Sequence, residues 1–135
     1  DPLLPLARDA DVIFVIENIY DTNSAPLLAL IRSFNSPLVR MSLDTGHAFI
    51  KHQIGGPTPD QWAADAGELL GHIHVVDNDG QYDRHWMPGH GNINWFALFE
   101  ALQKLTSQPR LILELNKTDE IPQAVQWLSM QRLAR

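Results

Sequence analysis

Short β-branched and leucine-rich runs recur along the chain at residues 12–16, 38–43, 72–76 and 111–113. Largely apolar runs of this length suit strands covered on both faces, as in parallel sheets flanked by helices. Between them the period lengthens. Leu27, Leu30, Ile31 and Phe34 share one face at helical spacing. Thr58-Pro59-Asp60-Gln61 is a capping box with proline at the first helical position, and the helix it opens should bury Trp62, Ala66 and Leu69. Asn94 is placed to cap a third helix whose apolar stripe is Trp95, Leu98, Phe99, Leu102 and Leu105. A last helix over 119–133 should bury Ile121, Val125 and Leu128. The stretch Gly55-Gly56-Pro57 and residues 78–92 read as long loops. The order is therefore four βα units in one α/β domain spanning residues 1–135. A closed (β/α)8 barrel takes eight such units and about 250 residues. Four units fit half a barrel, and they fit a doubly wound open sheet equally well.

The polar residues carry more information than the strands. Glu17, Asp44 and Glu114 stand at the carboxyl ends of predicted strands, and His74 lies in a strand that leads to Asp77. Carboxyl ends of parallel strands share one rim, where α/β proteins place their sites. A lone Glu there is usually a cap or an ion-pair partner, and a lone His in a strand usually packs in the core. Three carboxylates and an imidazole in one layer are harder to explain without a cation. Such a donor set suits Mn²⁺, Mg²⁺, Co²⁺ or Zn²⁺. His47, three residues after Asp44, reaches the same rim. Asp83 and His85 form an Asp-x-His pair able to hold a metal or a substrate hydroxyl, and Pro88-Gly89-His90-Gly91 turns the chain into the next helix. His52 reads as a surface histidine. His72 is expected to face away from His74 and to pack structurally.

Composition narrows the function. Apolar residues make up 44% and charged ones 19%, values of a globular protein rather than a disordered one. With no cysteine there is no disulfide, zinc finger or thiol nucleophile. That fits a reducing cytoplasm, the expected location. No basic-then-apolar leader opens the sequence, and no apolar run approaches the roughly 20 residues a membrane helix needs. The net charge of −6 makes nucleic acid an unfavoured partner.

Taken in order, Val15-Ile16-Glu17-Asn18, Leu43-Asp44-Thr45-Gly46-His47, His72-Ile73-His74-Val75-Val76-Asp77-Asn78, Asp83-Arg84-His85, Pro88-Gly89-His90-Gly91-Asn92-Ile93-Asn94-Trp95 and Leu111-Ile112-Leu113-Glu114 form a pattern. It resembles the sugar phosphate isomerase/epimerase group of the xylose-isomerase-like TIM barrel superfamily, which also contains endonuclease IV type abasic-site nucleases. The resemblance implies the carboxyl-terminal half of such a (β/α)8 barrel, strands five to eight with their helices. It implies Glu17, Asp44, His74 and Glu114 as metal ligands, with Glu17 and Glu114 also exchanging protons with a sugar carbon. His47 resembles a substrate-contacting or second-metal histidine, and Asp83 and His85 the extra ligands of multinuclear members. The family's first four units have no counterpart here. Either a missing amino-terminal half or a second copy is then the expected partner.

Three functions compete on this footing. One is a metal-dependent isomerase or epimerase of a sugar or sugar phosphate. Another is hydrolysis of a phosphodiester at abasic DNA, with His47, Asp83 and His85 completing a multi-zinc site. After Glu17-Asn18, however, the chain reads Ile19-Tyr20-Asp21-Thr22-Asn23, without the small glycine-rich turn associated with that branch. The last is an inactive half-barrel that serves assembly.

Overall fold

The computed structural model describes residues 2–133. Four strands, β1 (Phe14–Glu17), β2 (Val39–Asp44), β3 (Leu70–Val75) and β4 (Arg110–Leu113), pair in parallel in the order β1-β2-β3-β4. Strand order equal to chain order removes the doubly wound alternative, because that fold needs a reversal of strand order and this sheet has none. The strands begin and end within two residues of the predicted runs. Val12 is the exception of note: expected in the first strand, it lies before β1 and is exposed.

Helices α2 (Ser24–Ser33), α4 (Pro59–Ala66) and α5 (Trp95–Gln103) follow β1, β2 and β3, and α6 (Ile121–Met130) follows β4. Two of these starts, those of α4 and α5, obey the predicted signals. Gln61 Oε1 accepts from the Thr58 amide at 2.9 Å, the reach-back half of the capping box, and Asn94 Oδ1 accepts from the Ala97 amide at 3.1 Å. Two helices have no counterpart in the sequence reading. α1 (Leu3–Asp9) precedes β1 with one buried residue, Ala7. α3 (Thr45–His52) starts directly after β2, capped by the very aspartate that ends the strand. Four predicted core positions are revised. Leu30 and Val125 are exposed, their places being taken by Leu28 and Ala124, Leu69 is half-buried in a 3₁₀ turn that follows α4, and Ile121 is half-buried at the start of α6.

Pairing fixes which side chains share a face. Met41, Leu43, Ile73 and Val75 turn towards the helices and are almost fully buried with Trp62, Leu98 and Ile31. Val15, Glu17, Arg40, Ser42, Asp44, His72, His74, Arg110 and Ile112 lie on the opposite face, by the register of adjacent strands. Among the described residues no helix covers that face. It lines a cavity of about 730 Å³ towards the amino-terminal ends of the strands, bounded by Val15, Arg40, His72 and Arg110. The inner wall of a barrel would look the same.

Candidate metal centre

Asp44 anchors the site. It closes β2 at full burial, and its neighbours in the chain and in space hold its position. Its amide donates to Asn18 Oδ1 at 2.8 Å, while Asn18 Nδ2 donates to its carbonyl at 3.1 Å. Oδ1 accepts from the His47 amide at 2.7 Å, so one oxygen caps α3. The other oxygen, Oδ2, is buried with no hydrogen-bond partner. A bare carboxylate oxygen in such a place is costly unless something cationic faces it. Burial pushes the Asp44 carboxyl up, and the nearby Glu17 and Asp83 charges add to the rise against the opposing effect of His47.

His74, opposite Asp44 in the sheet, repeats the pattern. Its Nδ1 is buried without a hydrogen bond, although it lies 3.1 Å from Glu17 Oε2, 3.1 Å from Glu114 Oε2 and 3.7 Å from Asp44 Oδ2. The atoms are near one another but not aimed along N–H···O lines. Donors that each lie about 2.0–2.2 Å from one shared ion sit at about this mutual spacing. The donor groups Asp44–His74–Glu114 and Glu17–Asp44–His47 each fall within 4.8 Å. With two orphaned buried atoms pointing into it, and only hard or borderline donors around it, the cluster fits a divalent cation. All four residues expected at the rim are therefore brought together.

His47 and His85 stand beside them. His47 Nδ1 lies 3.0 Å from the Asn18 carbonyl, and His85 Nδ1 lies 2.8 Å from the Glu114 carbonyl. A carbonyl only accepts, so each Nδ1 carries the proton and each Nε2 turns elsewhere. Both turn to the same atom: Asp83 Oδ2 is 3.2 Å from His47 Nε2 and 3.0 Å from His85 Nε2. Burial pushes the His47 imidazole down, but the Asp44 and Asp83 charges outweigh it and leave the group above its ordinary value. His85 behaves likewise, with the Glu114 carbonyl and Asp83 overcoming burial. His85 also has a positive φ of 47°, uncommon for a non-glycine residue and frequent at sites.

Two sequence expectations change here. His72, expected to face away from His74, instead meets it edge to face, with ring centroids 4.8 Å apart. Residues two apart in a strand share a face, and His72 bonds Ser42 Oγ through Nδ1 at 2.9 Å. Burial and the adjacent His74 push its imidazole down. His52 is half-buried rather than on the surface, its Nδ1 bonded to the Gly56 carbonyl at 2.9 Å. Sequence reasoning also missed Asn18, the buried clasp between β1 and β2. Its place beside Glu17 is visible in the sequence, but nothing there shows that it reaches Asp44.

This sheet and rim belong to a known class. Residues 1–131 match the xylose isomerase-like TIM barrel family, and the chain is a member of it. Its four strands form part of such a barrel. Among curated proteins, the uncharacterized protein MJ1614 of Methanocaldococcus jannaschii is 26% identical over 83 residues, 62% of this chain and 31% of that protein. Among solved structures, a D-tagatose 3-epimerase-like protein superposes with a TM-score of 0.81 at 20% identity, over 98% of this chain and 54% of that one. The TTHB071 protein from Thermus thermophilus, soaked with ZnCl₂, superposes with a TM-score of 0.73 at 27% identity, over 98% of this chain and 49% of that one. The chain thus spans about half the length of these structures and a third of the curated relative.

Proposed function

We propose that this chain is the carboxyl-terminal half, strands five to eight, of a metal-dependent isomerase or epimerase acting on a keto sugar or its phosphate. The observation that carries the reading is the pair of orphaned buried atoms, Asp44 Oδ2 and His74 Nδ1, facing the Glu17 and Glu114 carboxylates. The epimerase-like neighbour supports the sugar chemistry, and the zinc-soaked relative supports a metal.

Glu17, Asp44, His74 and Glu114 would hold Mn²⁺, Mg²⁺, Co²⁺ or Zn²⁺. When bound, such an ion supplies Lewis-acid polarisation of a sugar carbonyl. The protein's own groups divide the remaining work by exposure. The Asp44 side chain is 1% exposed and cannot swing, so it is a ligand alone. Those of Glu17 and Glu114 are 26% and 48% exposed, and both open onto the inner face. One glutamate takes the proton from the carbon beside the carbonyl and the other returns it. His47, its Nδ1 proton held by Asn18, can turn Nε2 to a substrate hydroxyl.

One observation favours a second reading. His47 Nε2, His85 Nε2 and Asp83 Oδ2 form an additional donor set beside the first, as a multinuclear phosphodiesterase acting at abasic DNA would require. The net charge of −6 weighs against a DNA partner.

Incubating the protein, completed by its barrel partner and loaded with Mn²⁺, with a panel of ketoses and ketose phosphates in deuterated water separates the two. Deuterium at the carbon next to the carbonyl is the expected result. Cleavage of an abasic oligonucleotide without such exchange would establish the second reading instead.

A further inference from the structure

The buried carboxylate of Asp77 is used by neither reading, yet both of its oxygens are fully engaged. Oδ1 accepts from the amides of Asn78 at 2.9 Å and Ile93 at 3.2 Å. Oδ2 accepts from the Gly89 amide at 2.9 Å and from Trp95 Nε1 at 2.9 Å. Its backbone exchanges two hydrogen bonds with Trp86, at 2.8 and 3.0 Å. Every one of these partners lies between residues 78 and 95, so the group grips the loop and the first residue of α5 rather than the sheet. Gly91 is what lets the loop come so close: a Cβ there would collide with Asp77 Oδ1 and with the Asn78 carbonyl.

The segment that Asp77 closes into a ring carries Asp83 and His85, the latter immediately before the paired Trp86. The tip has its own internal bonds, from Arg84 to Asp79 at 3.0 Å, but these do not fix it over the rim. Asn116 holds the far side by donating to the Arg84 carbonyl at 3.0 Å. Asp77 holds the near side.

We propose that Asp77 is a positioning residue, which clamps the loop of residues 78–94 so that Asp83 and His85 reach the metal rim. The carboxylate suits the task because it offers only acceptors to four donors. An amide of the same shape would turn an N–H₂ group against two N–H groups and release the clamp. The proposal rests on the rim being a metal site, and its test keeps the two apart.

Amide exchange in the metal-free protein is read first. Asp77→Asn should strip protection from the Trp86, Gly89 and Ile93 amides while the β2–β3 amides stay protected; unchanged loop protection overturns the proposal. Zn²⁺ titration follows, with Asp77→Asn, with Asp83→Ala/His85→Ala, and with all three together. Residues that support ligands typically contribute 10–100-fold to metal affinity, so Asp77→Asn should weaken Zn²⁺ about tenfold. The triple variant should bind no more weakly than the Asp83/His85 pair, because the clamp acts through those two residues. Full additivity, or wild-type affinity in Asp77→Asn, contradicts the proposal. Wild-type protein that binds no Zn²⁺ removes the proposed function, and the exchange result then decides Asp77 alone. Should Asp77→Asn lose the sheet as well, Trp95→Phe removes one donor of four. It should loosen the same loop amides by less, and no loosening at all would count against the clamp.

Discussion

Asp44 and His47 set the electrostatics of the rim at the scale of single residues. His47 sits above its ordinary value because Asp44 and Asp83 outweigh its burial. A folded chain that holds this proton more tightly than the unfolded one gains stability from it below the ordinary imidazole range. That gain is lost as pH rises through the raised value. In metal-free protein, the stability difference between wild type and His47→Gln should therefore shrink as pH climbs from about 5 to about 8. Urea melts across that range report it, and a difference that widens with pH would mean His47 is held neutral. At Glu114 the expectation is chemical. Glu114→Gln should abolish solvent proton exchange and weaken metal binding with little change in unfolding, since this exposed side chain contributes little to the core. Loss of cooperative unfolding with intact metal affinity would assign it a structural task. The places of Glu17, Asp44 and Glu114 at strand ends, and of His74 inside a strand, are legible from the hydrophobic period, whereas their role as ligands comes from the family resemblance and is proposed. Asn18 and the clamping contacts of Asp77 are not legible, because their partners lie 26 and up to 18 residues away and only the folded loops bring them together.

Elements join at the rim through a few buried polar clasps. Asn18 ties the end of β1 to the end of β2 with two hydrogen bonds at 2% exposure. Thr45 does the same between α3 and β3, donating to the Val76 carbonyl at 2.7 Å and accepting from its amide at 3.1 Å. Each such bond contributes about 0.5–1.5 kcal/mol and stranding its partner costs about 1–3 kcal/mol. Asn18→Ala should thus lower stability by about 2–4 kcal/mol in denaturant melts, and should weaken metal binding by freeing Asp44. A change within error of zero would show that water replaces the clasp. The helices α1 and α3 escaped sequence reading for different reasons. α3 is a tight strand-to-helix junction with no linker, whose cap, Asp44, is also the last residue of β2. α1 has a single buried residue and thus little apolar period to detect.

The whole molecule has an inner wall and two edges that no other described element covers. Phe14 and Val15 on β1, and Leu111 and Ile112 on β4, are 38–44% exposed, unlike the nearly sealed apolar residues of β2 and β3. Covering a large apolar side chain is worth about 1.5–3 kcal/mol, and the outer backbone groups of β1 and β4 lack strand partners among the described residues. Closure into an eight-stranded barrel would satisfy both. The isolated chain should therefore associate, and light scattering at micromolar concentration should give a mass above 15.2 kDa. A sharply unfolding monomer would show that this open sheet is self-sufficient. Among the described residues no helix is long and apolar enough to cross a membrane.

Metal binding by the rim is the claim on which the rest depends, and calorimetric titration of chelator-treated protein with Mn²⁺ and Zn²⁺ tests it most directly. One ion should bind at the first site of the wild-type protein, and Asp44→Asn and His74→Ala should each abolish that binding while the β2–β3 amides remain protected. Absence of binding in the wild type, before and after completion of the barrel, would contradict the account; so would binding that survives both substitutions.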